Sequence, residues 1–267
     1  MSPQSGDNGR HILRLMPLSL ETKIRTLVEG FPDFVRTFGD TPAFNDRQLA
    51  SHRETLALRS QLGSAGAAAN SRAFSDSLRN TLELWRMNSR GALLISADDF
   101  HASLKRSAED VAALESAALE DDALQHAVIA GKLWTVIERL RLTETRAQLV
   151  TSTKSLHHLL PSLVVPMDRQ FTGAFFRWNN QAWQVTQERS FKTAFGVFAN
   201  IARQVKPSQY IGSGWNTSAT KVLDNALVSF CRRHELDKAS RDKAILARAT
   251  ELGLLGDLAS KAGKRKT

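Results

Sequence analysis

With 267 residues, 42% of them hydrophobic, and a single cysteine, Cys231, the chain can build a sizeable core but neither an intrachain disulfide nor a cysteine-based zinc site. A formal net charge of +9, from 36 Lys and Arg against 27 Asp and Glu, favours acidic partners, with DNA or RNA first among them. No segment approaches the roughly 20 apolar residues of a membrane span, and the polar opening MSPQSGDNGR lacks a signal-peptide core, so a cytoplasmic protein with no membrane partner is expected.

Residues 1–10 read as a disordered N-terminus, and a short helix follows from about Leu20 to Gly30. FPDFVRTF reads as one further helical turn, stopped by Gly39 and Pro42. Asn45 or Asp46 caps a helix to about Leu62 whose apolar positions are sparse, which suits a surface helix. GSAGAAAN, residues 63–70, is either a linker or a tight connection between helices. From Ser71 to Met87, Phe74, Leu78, Leu82 and Trp85 recur at helical spacing and predict an amphipathic helix. ALLIS is an isolated strand-like run, read as a buried connector or a helix start. Ser96 with Asp98 and Asp99 opens a helix expected to reach about residue 119, and EDD starts another that runs through LQHAVIAGKLWTVIERLRL. His101 and His126 are ordinary helix histidines, and Cys231 is an inert packing residue.

NNQAWQ reads as a break, Gln187 to Val205 as a helix with Phe191, Phe195 and Phe198 in the core, and KPSQYIGSGWNTS as a loop. Thr217 or Ser218 caps a helix through His234, and Asp237 starts a last one ending near Gly253. These elements give an all-α fold, an irregular orthogonal bundle of about ten helices with little or no strand. The expected organisation is one helical domain over residues 11–258, looser before residue 70, followed by a basic disordered tail at 259–267.

Chemical groups concentrate in Thr151 to Trp178. On a helix from Thr153 to Leu160, Leu156, Leu159 and Leu160 share a face with Leu163, while Lys154 and His158 lie nearly opposite and His157 on the flank. Asp168 is placed to cap the next helix, and a hairpin of the two helices brings Asp168 and Arg169 near Lys154, His157 and His158. Such a group could hold a phosphate, or activate water with Asp168 as acid-base, Lys154 as electrostatic partner and a histidine as proton shuttle. Neighbouring helix histidines point about 100° apart, so no metal is expected. With no Walker loop, Rossmann fingerprint or nucleophile elbow, no cofactor is expected either.

A later helix repeats the arrangement. TKSLHHLL from Thr153 aligns with TKVLDNAL from Thr220, placing Lys221 and Asn225 on one face and Asp224 on the flank. Both helices follow hydroxyl-rich segments and carry an early lysine, which the helix dipole opposes. Two such lysines suit an anion, or pairing with Asp168 and Asp224. Trp215, in the loop with Asn216 and Thr217, suits either a core plug or a base-stacking platform. The expectation is therefore a polar site with Lys154, Lys221, Asp168 and Trp215 around it. The competing reading is a structural polar network in a protein-interaction module.

The motifs TKxLHHLLPxLVxPMDRxxTxxFF, from Thr153, and WNTSxTKVxDNA, from Trp215, resemble those of a group of uncharacterised bacterial all-helical proteins, over about Trp134 to Phe230. That resemblance implies the helical fold and no particular activity. More loosely, an early helix lysine, a proline-containing turn and an aspartate opening the next helix are similar to helix-hairpin-helix DNA glycosylases. There an aspartate at the place of Asp168 supports base excision. The chain departs from them in having no glycine-rich hairpin before Lys154. The function expected is a nucleic-acid-associated protein. Glycosylase-like or phosphate-handling chemistry is an alternative.

Overall fold

The computed structural model describes residues 18–88 and 93–242. The disorder expected at residues 1–10, the basic tail and the end of the last helix lie outside these residues. The described residues form an all-α fold of thirteen helices, with one isolated antiparallel bridge between Leu94 and Thr143. ALLIS thus has a partner after all: Leu93 accepts from Glu144 N–H, and Ile95 N–H donates to Leu142. Among the described residues, no helix is long and apolar enough to cross a membrane.

Helix α1 (Leu20–Glu29) is capped by Ser19, whose hydroxyl accepts from Thr22 N–H at 3.1 Å. Helix α2 (Phe31–Asp40) is longer than its sequence suggests and runs through Gly39. Its buried Phe31, Phe34, Val35 and Phe38 pack against the last long helix, which outweighs the roughly 1 kcal/mol that a helical glycine costs.

Helix α3 (Asp46–Gln61) opens with a capping box between Asn45 and Gln48. It is not a surface helix: Ser51, His52, Thr55 and Arg59 form a buried polar stripe. Thr81 on α5 (Arg72–Leu84) meets the hydroxyls of Ser51 at 2.6 Å and Thr55 at 2.8 Å. Between them, α4 (Ala65–Asn70) buries Ala65, Ala68 and Ala69, so GSAGAAAN is packed structure and not a flexible linker. The sequence obscures this because alanine and glycine look like spacer residues, yet they also allow helices to approach closely.

After the Ser96-capped α6 (Ala97–Arg106), the expected long helix breaks at Ser107, and α7 (Ala108–Ala112) turns to lie against α4. Turns follow, and α8 (His126–Leu140) starts only at His126, not at EDD. The chain continues through α9 (Leu149–Leu159), α10 (Phe171–Phe176) and α11 (Asn180–Gln184), the last standing where a break is expected and capped by Asn179. Helix α12 (Gln187–Val205) buries its three phenylalanines as the spacing predicts. A 3-10 turn (Pro207–Tyr210) leads to α13 (Ala219–Arg233), and residues 238–242 open a further helix.

Two helices are enclosed on nearly every side. Every residue from Ala219 to Cys231 on α13 is buried, as is most of α9. Their polar side chains must therefore be satisfied by protein, which is what builds the site.

Candidate functional site

Helix α9 begins at Leu149, so Lys154 stands in its second turn and not at the helix start. Lys221 does lie in the first turn of α13, where the Ser218 hydroxyl accepts its N–H at 3.2 Å. The expected convergence is present: Lys154, Asp168, Lys221 and Asp224 line one small pocket of about 50 Å³, together with Phe44 and Trp85.

The inner half of this quartet is closed. Lys221 is 1% exposed, and its ammonium donates to Asp224 at 2.5 Å. Four aromatic rings surround it: Phe44 at 4.8 Å, Trp215 at 5.1 Å, Phe38 at 5.8 Å and Trp85 at 5.9 Å from the ring centres. Burial pushes the Asp224 carboxyl up from its ordinary range, and Lys221 pulls it back in part. Lys221 is thus spoken for by its own protein and is not open to an external phosphate.

The outer half is open. Lys154 is half-buried, 5.4 Å from the centre of the Trp85 ring, and its ammonium makes no hydrogen bond or ion pair with any described residue. Burial lowers its pKa and Lys221 lowers it further, while Asp168 and Asp224 oppose the shift. Asp168 accepts from Phe171 N–H at 2.6 Å, but it is not the helix cap expected: α10 starts only at Phe171, and Gln170 holds its N-cap position. Phe44, Gln48, Trp85, Lys154 and Asp168 are shared between the small pocket and a larger cleft of about 770 Å³, so the two are continuous. Arg169 is exposed and lines that cleft.

The histidines do not face the cleft. His157 and His158 are fully buried and meet His52 of α3. Hydrogen-bond partners assign the tautomers. His158 Nδ1–H donates to the Lys154 carbonyl at 2.8 Å, which leaves its Nε2 to accept from His52 Nδ1–H at 2.9 Å. His52 Nε2 in turn accepts from the Thr217 hydroxyl at 2.8 Å. His157 Nδ1–H is shared between the Val164 carbonyl and the Thr220 oxygen, both at 3.0 Å, because the Thr220 hydroxyl donates to Pro161. Its Nε2 is buried without a partner.

All three rings are therefore neutral, and an added proton on His157 Nε2 finds no acceptor in place. Burial is the main cause that holds His158 down to about 4 and His52 and His157 well below their ordinary value; Lys221 adds to it for all three, and the neighbouring rings add to it for His52 and His157. The shuttle role expected for His157 or His158 has no route here: neither ring lines the cleft, and both act as struts between α3, α9 and α13.

Trp215 is 5% exposed, stacked on His52 at 5.7 Å and set against Phe44 at 5.1 Å. It is the core plug, and the base-platform alternative fails because its faces are covered. Asn225 Nδ2 ties the same loop down, donating to the Trp215 carbonyl at 3.0 Å and to Asn216 Oδ1 at 2.9 Å. Asn216, Thr217, Asn225, Lys221 and Asp224 thus hold the inner layer together, while Lys154, Asp168 and Arg169 face the opening.

Sequence reasoning missed His52, Trp85, Phe44 and Gln48. The only local signal was the stripe Ser51, Thr55 and Arg59 beside His52, at the spacing of one helix face with too few apolar residues for a core and too few charges for an exposed surface. No protein-family model, curated protein or solved structure matches the chain.

Proposed function

We propose that the protein is nucleic-acid-associated and that the cleft takes one nucleotide unit of the bound chain. The observation that carries this reading is Lys154, a half-buried ammonium without an ion-pair partner among the described residues, set in the neck of an aromatic cleft beside Asp168. An unpaired buried cation is costly, and an anion arriving at the neck offsets that cost. Phe44 and Trp85 line the cleft, both half-buried, and suit the flat face of a base, Arg169 suits a phosphate, and about 770 Å³ is within the range that holds small ligands. Asp168 is the group placed to accept a proton from bound water, and glycosylase-like chemistry would start there.

The inner layer supports a second role. The closed Lys221–Asp224 pair and the three-histidine chain serve as a structural polar network, and a protein whose whole site were of this kind would be an interaction module without a ligand.

The test is a polarisation titration with labelled single-stranded DNA and RNA at about 50 mM and about 200 mM salt. Wild type is compared with Lys154→Met, Arg169→Ala, and a tail variant with Lys264, Arg265 and Lys266 changed to Gln. Salt-sensitive binding weakened by the two cleft substitutions is expected. Absence of binding at low salt by the folded protein overturns the proposal. Binding that responds only to the tail variant overturns the assignment of the cleft.

A further inference from the structure

A second concavity of about 1200 Å³ lies between α10 and the segment after α13, and it shares Arg169 and Gln170 with the cleft. Its exposed cations are Arg169, Arg177, Lys238 and Arg241, none of which makes a salt bridge among the described residues. The Arg177 side chain in particular makes no hydrogen bond or ion pair among the described residues. It terminates α10 in the left-handed conformation, at φ 56°, where glycine or asparagine would be less strained. The carbonyls at that helix end are already taken, because the buried Lys23 ammonium donates to Phe175 at 2.6 Å and to Ala174 at 3.3 Å.

The acids in the groove are fewer or engaged. Asp237 accepts from Ser240 N–H at 3.1 Å and from Gln170 at 3.3 Å, and Glu235 and Asp242 are the others. Trp178 adds a half-buried aromatic wall. From Asp242 at this groove the chain continues into 25 residues that carry six Lys or Arg against two acids.

We infer that this groove carries the sugar-phosphate backbone of a single strand onward from the nucleotide held in the cleft, with Arg169 at the junction. The inference rests on the nucleotide reading of the cleft and adds the path of the bound chain. Arg177, Lys238 and Arg241 meet successive phosphates, and Trp178 supplies a stacking face. Single strands fit better than duplex, because a flexible backbone can follow a groove that turns out of a pocket.

Two probes separate this inference from the reading beneath it: a labelled trinucleotide, and a labelled strand of about 12 nucleotides. Each is titrated against wild type and against the Arg177→Glu, Lys238→Glu, Arg241→Glu triple variant, with Arg177→Gln alone as a milder variant and helix content checked for both. For wild type, affinity rises with strand length. For the triple variant, the longer strand loses about tenfold or more, and its salt slope falls by about 2, from three phosphate contacts at roughly 0.7 each. Trinucleotide binding is retained. Arg177→Gln shifts the slope in the same direction by about a third as much.

Unchanged affinity and slope for the longer strand in the folded variants overturn the groove while leaving the cleft reading intact. Failure of wild type to bind either probe overturns both. Loss of binding to vesicles containing phosphatidylserine, with strand binding unaffected, would reassign the groove to a membrane surface and also overturn it.

Discussion

Acid should unfold this protein through its histidine chain. Each of His52, His157 and His158 is neutral in the folded state and accepts a proton readily once the chain is unfolded, where the ordinary value is near 6.5. A folded value below the unfolded one means that stability is complete above about pH 6.5 and is lost as pH falls toward the folded value. For His158, held at about 4, the loss below both values is about 3 kcal/mol. His52 and His157 are shifted in the same direction and steepen the loss. Each ring that takes up a full proton on unfolding adds about 1.4 kcal/mol per pH unit to the slope.

Asp224 works against this trend, since a carboxyl raised by burial gives stability that falls as pH rises above its ordinary range, but it is one group against three. Guanidinium unfolding at half-unit steps from pH 7.5 to 4.5 measures the slope. His158→Phe, which removes one titrating ring, should lower the slope by about 1.4 kcal/mol per pH unit, whatever it does to stability at pH 7.5. An unfolding free energy flat between pH 7 and 5, or folded-state ring resonances assigned to His52, His157 or His158 that titrate near 6.5, would refute the neutral-chain reasoning.

Two further outcomes follow from the packing. Breaking the Lys221–Asp224 pair from one side, by Lys221→Met or Asp224→Leu, should cost about 3–5 kcal/mol because the remaining charge is buried alone, whereas the double substitution should cost much less than the sum; additive losses in chemical denaturation would show that the two charges are not coupled. Gly66→Val should destabilise by about 1–3 kcal/mol, since even a Cβ there would stand 3.1 Å from Ala112 Cβ and 3.3 Å from the Ala108 carbonyl. A thermal midpoint equal to wild type would mean that the α4–α7 contact is looser than described.

What the sequence determined was local. Ser19, Asn45, Ser71, Ser96 and Ser218 cap helices whose starts can be read from hydroxyl and amide residues, and the phenylalanines of α12 declare their buried face by spacing alone. The meeting of Lys154, Asp168, Lys221 and Asp224 was also legible, because two similar helices with similar polar faces suggested it.

Tertiary structure decided which of these groups is open and which is closed. Nothing near Lys221 in sequence announces the rings of Phe38, Phe44, Trp85 and Trp215, and nothing near His158 announces His52, 106 residues earlier. It also turned an apparent surface helix into a buried polar stripe and an apparent linker into core. The physical reason is the same in each case. Caps and periodicity depend on neighbours within a turn or two, whereas burial and the satisfaction of a buried polar group depend on what another helix brings to it.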